Sequence, residues 1–265
     1  MVLDGLALIA SNVSRLAESL ERCADVGAHP SARLTYNAGR EEAGKFLALV
    51  DLYRAPQAGQ GTVAKHVRRC GNHLAKLLYA QIADYSIASQ GELVRAVDRH
   101  RQGLYLDGPM DFDFIFRNDL ISEREHALYV DLVDSEGELE WWGPRQERGM
   151  PLPVPPCMRL VKSIVAVGVV SHEGLMALSN VWGDFDPMAD SHCSDWIART
   201  REALIALPQS AKQVDNWSNH SGFVANRWPM PMVELELDEI DLTVEEMVAR
   251  REQSYDVFMR HELGF

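Results

Sequence analysis

Residues 1–23, MVLDGLALIASNVSRLAESLERC, set Leu6, Ile9, Val13, Leu16 and Leu20 at steps of three and four. That spacing lines one face of an α-helix with apolar side chains, and such a face is stable only when other helices cover it. A turn at Gly27–Pro30 closes the stretch. A second helix is expected over about Ser31–Tyr53 and a third over about Thr62–Ser86, with Pro56, Gly59 and Gly61 punctuating the loop between them. A fourth helical segment falls near Gly91–Arg101. Successive helices on short connections predict an antiparallel helical bundle, so the fold class is mainly α.

The pattern changes to period two over His126–Val133 and again over Glu138–Trp142, with Asp134–Gly137 between. Alternation around a glycine-containing turn predicts a β-hairpin. Next comes a proline-rich run, Pro144–Pro156, which continues neither kind of element and marks a domain boundary or an ordered arm. Two further helices are expected, about Cys157–Trp182 and Ala189–Leu207. Gln209–Pro231 reads as a polar, irregular loop pinned by Trp217, Phe223 and Trp228, and Val233–Leu237 as a short strand. Thr243 with Glu246 forms a capping box that starts a last helix. The expected division is a helical domain with its hairpin over 1–143, a connector over 144–156 and a C-terminal helical extension over 157–265.

A chain of 265 residues, 46% hydrophobic and 25% charged, buries a core without disulfides or metals, as one large domain or two small ones. Cys23, Cys70, Cys157 and Cys193 are scattered and form no C-x-x-C pair, which fits a reducing cytoplasm. The N-terminus lacks the basic region of a signal peptide and carries Asp4 instead. The apolar run Ile164–Val170 is too short to span a bilayer, so no membrane association is expected.

A net charge of −13 argues against broad, nonspecific attraction to nucleic acid. The charge is unevenly distributed. Between Leu52 and Ala83 there is no carboxylate, while Arg54, Lys65, Arg68, Arg69 and Lys76 all fall inside; from Pro231 onward acids dominate. One basic island therefore sits in an acidic protein.

Asp190, His192, Cys193 and Asp195 look like metal ligands, but His192 and Cys193 point apart on a helix and a helix start naturally collects Asp. Asp107, Asp111 and Asp113 read as a solvated acidic turn. No metal site and no cofactor are expected. Walker A, G-x-G-x-x-G and G-x-S-x-G sequences are absent, which gives no support to nucleotide hydrolysis or serine esterase chemistry.

Three blocks, Asn37-Ala-Gly-Arg-Glu-Glu-Ala-Gly-Lys-Phe46, Val67-Arg-Arg-Cys-Gly-Asn-His-Leu-Ala-Lys-Leu77 and Arg124-Glu-His-Ala-Leu-Tyr-Val-Asp131, resemble in order and approximate spacing the AbiV abortive-infection family. The resemblance covers residues 31–135. It implies membership of the HEPN superfamily, whose compact helical bundles often pair as dimers and in many members cleave RNA without a metal. It also implies an Arg followed four to six residues later by His at the dimer seam. Arg68 and His73 satisfy that spacing; Arg95–His100 repeats it, and Arg22–His29 fits its wide limit. The basic island and the second block single out the first pair.

On one continuous helix Arg69 and His73 share a face, whereas Arg68 and His73 converge only if a helix begins or kinks near Gly71. Arg68, Arg69 and His73 are therefore the catalytic candidates, with Asn72 and Lys76 beside them. A His takes or gives a proton near neutrality while a permanently charged Arg steadies the phosphorane. Glu41, Glu42 and Lys45 either orient an arginine from a neighbouring helix or form the ordinary Glu41–Lys45 pair. Tyr129 and Asp131 alternate on one face of the expected strand, lining the cleft or simply packing.

The expected function is defence against phage as a homodimer, either as a metal-independent ribonuclease or translation-blocking toxin, or as a non-catalytic protein that captures a phage or host protein. RNA is the substrate implied, and a phage protein activator or antitoxin-like cover the partner. The acidic C-terminal region is a further candidate cover for the basic island.

Overall fold

The first helix, α1 (Val2–Asp25), buries Leu6, Ile9, Val13 and Leu20 as the spacing requires, with Ala17 at the centre of the stripe and Leu16 on its flank. It packs along α2 (His29–Asp51), and α2 packs along α4 (His73–Asp84). The computed structural model describes residues 2–26, 28–102, 104–107, 113–116, 118–129, 131–135, 138–142, 152–185, 191–243 and 245–249.

The expected third helix is two helices, α3 (Gln60–Arg69) and α4, joined by a turn at Cys70–Asn72. The break has a local cause: the Asn72 side chain accepts a hydrogen bond from Ala75 N at 3.2 Å, which caps a new helix at His73. α4 is the central element. Leu74, Ala75, Leu77, Leu78, Tyr79, Ala80, Ile82 and Ala83 are all buried in it, more than one face can supply, because α2, α5 (Gln90–His100), α6 (Asp119–Leu128) and α7 (Pro156–Ala166) surround it.

Two antiparallel strand pairs follow α5. β1 (Leu104–Asp107) pairs with β2 (Asp113–Phe116), so the backbones of Asp107 and Asp113 are opposite each other at the end of a ladder; Asp111 lies outside the described residues. β3 (Asp131–Ser135) pairs with β4 (Glu138–Trp142), while Glu136 and Gly137 of the turn lie outside them. The first of these strands begins later than His126. Asn118 accepts from Leu120 N and Ile121 N and so starts α6, and the helix carries the chain through Leu128.

Residues 144–151 of the proline-rich run lie outside the described residues. Pro155 and Pro156 open α7, where a missing amide costs nothing, and Cys157 N donates to Asp84 Oδ1 at 2.8 Å beside the end of α4. The expected helix 157–182 is likewise two, α7 and α8 (His172–Trp182), because Gly168 turns at φ +87° and Ser171 caps α8. α9 (Cys193–Ile205) starts with His192 N donating to Asp195 Oδ2 at 3.0 Å, the helix-start role of those residues; Ala189 and Asp190 lie outside the description.

Gln209–Pro231 is more ordered than its polarity predicted: a 3-10 turn at Gln209–Gln213 leads to α10 (Trp217–Arg227), which packs on α7 and α9. Val233–Leu237 forms turns rather than a strand. The Thr243–Glu246 capping box is present, with Thr243 N donating to Glu246 Oε2 at 2.9 Å. One apolar cluster contains Leu6, Phe46 and Leu78 from before the proline-rich run and Met158, Trp182 and Leu237 from after it.

Gly44 sets the α2–α4 distance, since a Cβ there would stand 1.8 Å from Lys76 O. Gly44→Ala is expected to cost about 3 kcal/mol in urea denaturation by forcing the helices apart. Gly5→Ala, where nothing lies within 4 Å, is the control and is expected to gain up to about 1 kcal/mol from helix propensity.

Candidate functional site

Glu41 lies one turn before Gly44 on α2, so the close approach there brings its carboxylate to the start of α4. Oε2 accepts from His73 Nδ1 at 2.7 Å and from Lys76 Nζ at 2.9 Å, and Oε1 accepts from Arg124 Nε of α6 at 2.6 Å. One carboxylate thus joins three helices. Burial raises the Glu41 carboxyl, but the hydrogen bonds from Lys76 and His73, and then from Arg124, outweigh it and hold the group below the ordinary glutamate range.

His73 is the first residue of α4, and its side chain is 49% exposed. With Nδ1–H donating to Glu41, the neutral ring keeps Nε2 as a base, the tautomer that a carboxylate partner selects. Arg68 lies in the last turn of α3, exposed and without an ion pair or hydrogen bond among the described residues. The helix break near Gly71, the condition for bringing Arg68 and His73 together, is present.

Arg69 goes elsewhere. Its side chain is 6% exposed; Nη1 donates to Leu235 O at 2.7 Å, and Nη2 to Glu236 Oε2 at 2.5 Å and Asp238 Oδ2 at 3.0 Å. Sharing a helical face with His73 fails because the two residues belong to different helices. Lys65 binds the same Glu236 carboxylate, with Oε1 at 2.7 Å. Of the basic island, Arg54 is not a surface charge at all: it is 1% exposed, with its guanidinium carbon 4.3 Å from the rings of both Trp182 and Trp228.

The remaining candidates divide. Asn72 serves α4 as its cap. Glu42 takes Lys45 at 4.0 Å, so the pair expected between Glu41 and Lys45 does not form, and Glu41 orients His73 rather than an arginine of α3. Tyr129 is 54% exposed at the end of α6 and not on a strand, which removes the shared face proposed for it and Asp131; the Asp131 side chain is not described.

Sequence reasoning passed over Arg124 and Arg40. Arg40 is 4% exposed and meets Gln81, Asp84 and Glu123, while Asn37 Nδ2 donates to Glu123 O at 3.4 Å. Asn37, Arg40 and Glu41 are spaced i, i+3, i+4, so one face of α2 holds α4 and α6 together. That spacing inside the first block, and Arg124 at the head of the third, were the available signals.

Because the folded Glu41 carboxyl is depressed, its stabilisation is complete above the ordinary value of about 4.3 and is lost as pH falls through the lower folded value. Glu41→Gln is therefore expected to lose about 1–3 kcal/mol at pH 7 and progressively less in acid. Thermal melts of both proteins across pH 2–7 measure the difference; a gap that stays constant to pH 2 would contradict the assignment.

None of the curated proteins and none of the solved structures compared with the chain matches it. The family model for HEPN AbiV, described as AbiV, matches residues 1–148. This span is more than half of the chain and holds Glu41, His73, Lys76 and Arg124 together. The protein belongs to the AbiV family of HEPN proteins.

Proposed function

We propose that this abortive-infection, HEPN-type defence protein is a metal-independent ribonuclease centred on His73, acting as a homodimer. The observation that carries the reading is the 2.7 Å hydrogen bond from His73 Nδ1 to Glu41 at an exposed helix start, with the exposed Arg68 at the end of the preceding helix. In this reading Nε2 takes the proton of a ribose 2′-hydroxyl, whose oxygen attacks phosphorus. The P–O5′ bond breaks, and the 5′-oxygen leaves with a proton from the second protomer's imidazolium. The products are a 2′,3′-cyclic phosphate and a 5′-hydroxyl. Arg68 carries the charge that develops on the phosphorane oxygens, and Lys76 and Arg124 hold Glu41 ionised so that it fixes the imidazole.

His73→Ala is expected to abolish cleavage of total RNA in EDTA and phage protection together, with thermal stability close to wild type because the side chain is half exposed. Arg68→Gln is expected to lower the rate by about 2–3 orders of magnitude, the size of losing one transition-state charge contact. Protection that survives in His73→Ala without cleavage would instead establish a protein that works by binding.

A cover over the basic island is a second, compatible element. Leu237 is fully buried against Ala48, His66, Arg69 and Tyr79, and on either side of it Glu236 and Asp238 neutralise Lys65 and Arg69. The segment is fastened further by Arg101 Nε donating to Asp238 O at 2.7 Å. Glu236→Gln with Asp238→Asn is expected to strengthen RNA binding by about tenfold, since two carboxylates no longer occupy the cations; unchanged binding in a folded variant would rule the cover out.

A further inference from the structure

Residues 233–238 are held to the bundle as a bound peptide is held. Val233, Leu235 and Leu237 are buried while Glu234, Glu236 and Asp238 between them are exposed, an alternation of period two in a segment that is neither helix nor strand. Among the described residues, the one backbone–backbone hydrogen bond made by this segment is local, from Leu235 N to Met232 O at 3.1 Å. Its carbonyls are read by side chains instead: Arg69 of α3 donates to Leu235 O, and Arg101 at the end of α5 donates to Asp238 O, each at 2.7 Å. Main-chain hydrogen bonds combined with pockets at alternate positions are the means by which a groove takes an extended peptide from another chain.

The seat is complementary in charge as well. Lys65 and Arg69 bind Glu236, and Arg69 also binds Asp238. The side chains of both acids are 55% exposed, so these pairs lie at the solvent boundary, are screened by salt and hold the segment weakly. Leu237 fills a pocket between Ala48, His66 and Tyr79, and its wall is completed by Cys70 and Lys76, on either side of His73 in the chain. The occupant of this pocket therefore stands beside the start of α4. Upstream, Met232 N is tied to the buried Asp51 carboxylate, which gives the segment a fixed point of departure.

We propose that this seat is exchangeable: a partner protein presenting an extended segment of alternating apolar and acidic residues binds it in trans and displaces residues 233–238. The proposal rests on the reading of this segment as a cover and adds what lifts it. A ligand that is only anionic would pair with Lys65 and Arg69 and leave the places of Leu235 and Leu237 empty.

The full chain is titrated with a fluorescein-labelled peptide of residues 233–241, followed by anisotropy. In wild type the tethered copy competes at a roughly millimolar effective concentration. Leu237→Asp, whose own segment no longer seats, is therefore expected to bind the peptide at least about tenfold more tightly than wild type. Glu236→Gln with Asp238→Asn loosens the tethered copy without placing a charge in the pocket, and is expected to gain about threefold. A peptide that itself carries Leu237→Asp is expected to bind at least about tenfold more weakly, the worth of one buried leucine. Arg69→Gln in the Leu237→Asp chain is expected to weaken binding about tenfold. The exchange is overturned if neither loosened variant, melting as wild type does, binds the peptide more tightly than wild type. It is equally overturned if the Leu237→Asp peptide binds as well as the native one. Stronger RNA binding by Glu236→Gln with Asp238→Asn, alongside either of those results, would leave the cover standing and remove only the exchange. A wild-type dimer that Leu237→Asp converts to monomers would put a second copy's segment in the seat and so overturn a separate partner.

Discussion

The separation of α2 and α4 at Gly44 is the constraint on which the remaining geometry depends. With no side chain in the way, Lys76 O of α4 comes within 1.8 Å of where a Cβ would stand, far inside van der Waals contact. Glu41 then lies close enough to reach both His73 and Lys76 with one carboxylate oxygen, leaving the other for Arg124. A wider spacing would strand a half-buried glutamate between helices, where an unpaired charge is costly. Packing and site chemistry are thus two consequences of one absent methyl group.

A second buried charge performs a comparable task at the other end of α2. Arg54 Nη1 donates to Asp51 at 2.9 Å and Nη2 to Pro229 O at 2.7 Å, between the faces of Trp182 and Trp228, while Asp51 Oδ2 accepts from Met232 N at 3.1 Å. Burial raises the Asp51 carboxyl and is only partly countered by Arg54 and by the Met232 amide. The pair specifies where residues 228–232 run, and from there the chain is delivered to α3, where Leu237 and its flanking acids dock. Charge is used throughout to fix the path of the chain as much as to face solvent.

Sequence patterning made α1 and α5 legible because each buries a single apolar stripe and so obeys a 3.6-residue period, while α2 was bounded by the breaks at Gly27–Pro30 and Pro56. It failed at α3–α4, where Gly71 and the cap at Asn72 are the local signs of a new start, yet the expected helix runs through both. It failed at His126 because the last turn of α6 happens to alternate into β3. Gln209–Pro231 is polar over much of its length, yet α10 needs only Val224, Ala225 and part of Trp217 and Phe223 to hold it against the core. At the site, His73 and Lys76 were visible as types and spacing. Their common carboxylate was not, since Glu41 had an equally good local partner in Lys45, and only tertiary packing chose between them. Arg54 and Arg69 likewise counted as surface charge until their distant partners, Trp182 and Trp228 for one and Leu235–Asp238 for the other, were in place.

The core shared across the proline-rich run also bears on how such a chain can be rearranged by recombination. The family match ends at residue 148, yet α7 packs on α1, α2 and α4, and Asp84 at the end of α4 receives the first amide of α7. A crossover between residues 148 and 156 would join an N-terminal part to a foreign helix not shaped to set Met158 against Gly39 or to aim its first amide at Asp84. Downstream exchange is no freer, because Trp182 and Trp228 must arrive together to enclose Arg54. Exchanging either part alone would therefore disturb the core that the two share.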